Sequence, residues 1–178
     1  MLDIAVAYNR YKYLGHEFLT WLWYRIETGQ DTLREIEPEM VSLSIGNRIV
    51  LENNRDNHDE VITIRGDGAG LEEGLIALKK GGKVTDIHLI FRSQELEWRF
   101  NLKGESLCVS SLKCPQTGKV EKKEDIEGAV LERIFLLEQI LELVRKLYAR
   151  FIRDRVSPEW DKEIVREINK WIDRSMAE

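Results

Sequence analysis

Over residues 14–27 the chain reads LGHEFLTWLWYRIE, and its apolar positions recur at helical spacing. At 100° per residue, Leu14, Phe18, Trp21, Leu22 and Ile26 share one face, which Leu19 and Trp23 widen. His16, Thr20 and Glu27 fall on the opposite side, with Glu17 and Tyr24 at its margin. Each buried aromatic withdraws roughly 150–250 Å² from water, so this helix needs a sheet or another helix over it. The pattern predicts it over about residues 10–28. Residues 2–8 ahead of it read as a short strand or extended entry, and the charged stretch between Gly29 and Pro38 reads as a loop.

From Met40 the period changes to two. Val41, Leu43 and Ile45 alternate with Ser42 and Ser44, and the run resumes as RIVLE after Gly46-Asn47, a pair suited to a bulge or tight turn. ENNRDNHDE reads as a polar turn and VITIR as a second strand. GDGAG then opens a short helix, LEEGLIALKK, that stops at Gly81-Gly82. Three strands follow. Ile87, Leu89 and Phe91 alternate with polar residues, as do Trp98, Phe100 and Leu102 after a turn at Ser93-Gln94, and SLCVSSL completes a meander whose outer side carries Arg92, Glu97, Arg99 and Asn101.

Past Cys114-Pro115 and a polar connector, one long helix is predicted over about residues 125–156. Ile126, Val130, Ile134, Leu137, Leu141, Val144, Tyr148 and Phe151 form one apolar seam, and Leu136, Ile140, Leu143 and Leu147 form a second beside it. Together they cover about half the circumference. One seam suffices to pack the helix on the rest of the fold, which leaves the other for a partner; Leu136, Ile140, Leu143 and Leu147 are the candidate oligomer interface. Ser157-Pro158-Glu159 marks the start of a closing helix with Trp160, Ile164, Ile168, Trp171 and Ile172 on one side. The expected fold is α+β over residues 1–178 as one domain. About five antiparallel strands (sheet-rich part about 40–115) are packed with four helices, the C-terminal helical part spanning about 124–178.

Composition narrows the class. The 178 residues are 43% hydrophobic and 33% charged, an ordinary globular balance with no apolar run near the roughly 20 residues of a membrane span. Two cysteines exclude a disulfide framework, and the first residues lack a signal-peptide pattern, so a cytoplasmic protein without a membrane partner is expected. His16, His58 and His88 lie on a helix, a loop and a strand at no metal-binding spacing, and no CxxC pair occurs, so neither metal nor cofactor is expected. GDGAG lacks the lysine and hydroxyl of a phosphate loop. No acid, base and nucleophile can be assembled from spacing, so catalytic residues are not assigned; an enzyme built around His16 and Glu17 is the third reading.

Net charge is −5, which excludes a uniformly basic nucleic-acid binder but not a basic strip on an acidic body. Three clusters could form such a strip: Lys79, Lys80 and Lys83 around the Gly81-Gly82 turn, Lys119, Lys122 and Lys123 in the connector, and Arg145, Lys146, Arg150 and Arg153 on the polar half of the long helix.

The order of motifs resembles the RdgC family. LGHEFLTWLWYRIE is followed by SLSIGNRIVLE, then by LEEGLIALKKGGKV, a strand pair ending in EWRF, and SSLKCP. The resemblance covers about residues 8–116. It implies a recombination-associated protein that binds duplex DNA with little sequence preference, acts as a dimeric ring and restrains the recombinase RecA. The chain is shorter than full-length members, and Cys114 stands where the family pattern has an apolar residue before proline. The leading expectation is therefore a non-enzymatic, sequence-independent DNA-binding protein acting as a homo-oligomer in recombination or nucleoid function. The alternative is a protein–protein interaction module, such as a phage or defence-system subunit, that uses the spare face of the long helix.

Overall fold

The computed structural model describes residues 4–55, 58–66, 70–116 and 125–174. The fold is α+β. A five-stranded antiparallel sheet has the order β2-β1-β3-β4-β5, with β1 at Met40–Arg55, β2 at His58–Arg65, β3 at Lys83–Ser93, β4 at Leu96–Lys103 and β5 at Cys108–Lys113. The helices are α1 (Ile4–Thr28), α2 (Gln30–Ile36), α3 (Gly70–Lys79), α4 (Ile126–Arg155) and α5 (Val165–Asp173), the last preceded by a π-helical turn, Trp160–Ile164. No described helix is long and apolar enough to cross a membrane.

Cross-strand partners share a face, and the register sorts the strands cleanly. Leu43, Ile49, Leu51, Ile64, Ile87, Leu89, Phe91, Trp98, Phe100 and Leu102 point to one side and are buried there. Against them lies α1, whose Phe18, Leu19, Trp21, Leu22 and Trp23 are fully buried. The aromatic face is thus core. Phe18 packs on Tyr148 and Phe151 of α4 at 5.1 and 5.4 Å between ring centroids, and Trp23 meets Trp171 of α5 edge-on at 5.3 Å.

Several expectations need correction. Residues 4–8 belong to α1 rather than to a strand; a short apolar piece with no breaker carries too little periodicity to tell the two apart. The charged stretch after Gly29 forms α2, which buries Leu33. The polar ENNRDNHDE segment is mostly strand, because β1 runs to Arg55 and β2 starts at His58. Ser157-Pro158-Glu159 leads into a π turn, which sets Trp160 and Ile164 on the same buried side as Ile168 and Trp171. The Gly46-Asn47 reading holds: the β1–β3 register shifts between Ile45 and Ile49.

The long helix is rotated opposite to expectation. Leu136, Ile140, Leu143 and Leu147, the candidate oligomer interface, are between 0% and 5% exposed and belong to the chain's own core. The indole N–H of Trp98 donates to the Leu136 carbonyl at 3.0 Å, which fixes this side of α4 on the sheet. The spare seam is the other one. Val144 and Phe151 are buried at its C-terminal end, but Ile126, Val130, Ile134, Leu137 and Leu141 are 44–51% exposed.

Candidate nucleic-acid interface on the open sheet face

The basic clusters legible in the sequence do not form one surface. Lys79 is paired with Asp173 at 2.8 Å, beside α5, and Lys83 lies at the start of β3 on a cavity of about 300 Å³ that also includes Trp160. Lys80 is exposed next to them. On α4, Lys146 is held by Glu37 at 2.7 Å and Arg150 by Asp154 at 2.9 Å, while Arg145 forks onto Glu142 of its own helix. Arg153 is exposed. Lys119, Lys122 and Lys123 lie outside the described residues. A phosphate would have to displace carboxylates along most of the predicted α4 strip.

The cavity beside Lys83 also gathers Thr20 and the two residues of the enzyme reading, His16 and Glu17. Both titratable groups are already engaged. His16 Nδ1 donates to the Val84 carbonyl at 2.8 Å, and Glu17 accepts from Arg155 Nε at 2.7 Å. These bonds join α1 to β3 and to the end of α4, so they have a structural use. Among the described residues no group of three or more His, Cys, Asp or Glu is placed to hold a metal ion.

A different set of cations converges on the sheet face opposite the helices. Strand alternation and register put Arg48 and Arg65 side by side on β1 and β2, Arg92 on β3, Arg99 and Lys103 on β4, and Lys113 opposite Arg99 on β5. The carboxylates there whose side chains are described are Glu52, Asp86 and Glu97, so these six cations outnumber the described anions on a chain whose net charge is −5. Glu97 is shared by Arg92 and Arg99, both at 2.7 Å, and their hydrogen bonds hold its carboxyl below the usual carboxylate range. Arg48 bonds Asp86 at 2.8 Å. Arg65, Lys103 and Lys113 are exposed and have no ion-pair partner among the described residues. The remaining outer positions include Ser42, Ser44, Asn101 and Ser110, and no Phe, Tyr or Trp is among the described ones.

His88 sits in the middle of this face, partly buried among its cations. Partial burial pushes its pKa below the ordinary 6.5, and the charges of Arg99, Arg48 and Lys113 push it further, against a smaller opposing pull from Asp86. Its Nδ1 also accepts the Asn47 backbone N–H at 3.1 Å, which places the proton of the neutral ring on Nε2. An NMR titration of His88 should therefore show a midpoint below 6.5. The sign for stability follows from linkage: the unfolded chain binds the proton more readily, so the His88 contribution is present above about pH 6.5 and is lost as pH falls through the folded midpoint. A midpoint at or above 6.5 would mean that the face is not electropositive.

Comparison of the chain with protein-family models, with curated proteins and with solved structures gives no match.

Proposed function

We propose that this chain binds DNA without sequence preference, by its phosphates, through the open face of the sheet. The observation that carries this reading is the surplus of cations gathered there from all five strands of an acidic chain. Arginine and lysine on a firm β scaffold neutralise phosphates and release counterions, a term that carries no sequence information. The described outer positions offer no Phe, Tyr or Trp on which successive unpaired bases could stack, which favours the duplex over single strands. The RdgC resemblance points the same way, and a role in recombination or nucleoid organisation belongs to the proposal on that ground. No catalytic step is part of it.

The test is fluorescence anisotropy with a labelled duplex of about 30 base pairs over a salt series. Wild-type binding should weaken steeply with salt. The Arg99→Ala, Lys103→Ala, Lys113→Ala triple variant should bind at least tenfold more weakly. Its slope of log affinity against log salt should fall by roughly 0.9 for each phosphate it no longer neutralises. Removing Lys79, Lys80 and Lys83 should change it far less. In the complex, the His88 midpoint should rise as phosphates offset the surrounding arginines. No binding at low salt, or a triple variant with wild-type affinity and slope, would refute the proposal.

A further inference from the structure

We infer that the N-terminal half of α4 is the contact helix of a parallel homodimer. Val130, Ile134, Leu137, Leu141, Val144, Tyr148 and Phe151 follow one another at spacings of four, three, four, three, four and three, a strict heptad seam. The seam changes environment midway. Its second half is seated on α1, where Tyr148 and Phe151 pack against Phe18. Its first half continues the same ridge into solvent, with all four side chains 44–51% exposed. Leu131 and Phe135 add further exposed apolar area at 60% and 57%. A run of large apolar side chains this long is more than a monomer ordinarily leaves in water.

The residues flanking the seam identify the occupant as a second copy and fix its direction. With Ile134 and Leu141 at the a positions, Ile126 and Arg133 occupy g, and Leu131 and Glu138 occupy e. A parallel coiled coil brings each g residue against the e residue five positions later on the other chain. That pairs Ile126 with Leu131 of the second copy and Arg133 with Glu138 of the second copy, apolar with apolar and cation with anion, each twice by symmetry. Antiparallel packing would instead set e against e and g against g. Arg133 would then face Ile126 or Ile140, and Glu138 would meet Leu131. Neither Arg133 nor Glu138 has an ion-pair partner among the described residues of its own chain, and both are exposed. The self-complementary pattern ends where Ile140, the next g residue, turns into the core. The contact is thus confined to about residues 126–141, and the two bodies diverge beyond it. This inference rests on α4 alone and is independent of the proposal for the sheet face.

The experiment is sedimentation equilibrium on the full chain and on two charge-reversed variants, alone and mixed. The wild type should form a dimer of twice 20.9 kDa at micromolar concentration. Arg133→Glu alone and Glu138→Arg alone should each set like charges together and weaken the dimer at least tenfold. An equimolar mixture of the two should recover a dimer, because each chain then supplies what the other lacks. Ile134→Asp with Leu141→Asp should give a monomer that keeps the wild-type near-ultraviolet circular dichroism. A monomeric wild type, a dimer indifferent to these variants, or a mixture no tighter than its components would overturn the inference. Duplex binding measured on the monomeric variant reports on the sheet face separately.

Discussion

Replacing Gly15 with alanine should destabilise the fold by about 3 kcal/mol, the upper end for overpacking a close-packed site. At this residue α1 touches the turn between β4 and β5, backbone to backbone. A methyl group on Gly15 would overlap the carbonyl oxygen and carbon of Gly104. No side chain can rotate out of the way, so either α1 lifts from the sheet or the turn is displaced. Lifting α1 would pull on Leu19, which lies against Gly104, and on the His16–Val84 hydrogen bond one residue along. Urea denaturation followed by far-ultraviolet circular dichroism measures the loss. Gly128 is a fitting control, because a Cβ there meets nothing within 4 Å on an exposed helix. Alanine at 128 should be neutral or stabilising by up to about 1 kcal/mol. Equal stability of the two variants would show that the helix–turn contact gives way at little cost.

The second large effect is at Trp98. Its ring is fully buried between Phe91 and α4, and its N–H reaches the Leu136 carbonyl at 3.0 Å. Trp98→Ala should cost about 3–5 kcal/mol, as for other large aromatic deletions in a core. Trp98→Phe keeps most of the packing and loses the hydrogen bond, for about 1 kcal/mol net. The same urea series separates the two contributions. If Trp98→Phe is as damaging as Trp98→Ala, then the bond to α4, and not the ring, dominates the site.

The rotation of α4 shows what one sequence can and cannot specify. Both of its seams are apolar, both have helical spacing, and nothing local ranks them. Trp98 and the aromatic face of α1 decide which is buried, and both lie far away along the chain. The meander was legible because alternation at Ile87, Leu89 and Phe91 and at Trp98, Phe100 and Leu102 fixes both strand and facing. The bulge at Gly46-Asn47 was legible for an equally local reason. The cationic face was not. Arg48, Arg65, Arg92, Arg99, Lys103 and Lys113 contribute at most two residues per strand, so only strand pairing brings them together. Runs such as Lys79-Lys80 catch the eye because they are contiguous, yet contiguity says nothing of the carboxylate that waits across the fold, as Asp173 does for Lys79. The outward alternation of Arg92, Glu97, Arg99 and Asn101 was the one local sign of the face, and it gave only its middle.

The seat of α1 also governs how the chain is made. Tyr24 donates to Glu167 across 143 residues of sequence, and Trp23 waits for Trp171 to cover it. The aromatic helix therefore leaves the ribosome well before the segment that completes its burial. Until α5 follows, part of that face has no native cover, and the nascent chain carries its most adhesive surface while the sheet and α4 are being synthesised. The arrival of α5 on Trp23 and Tyr24 is therefore the last step in covering the aromatic face of α1.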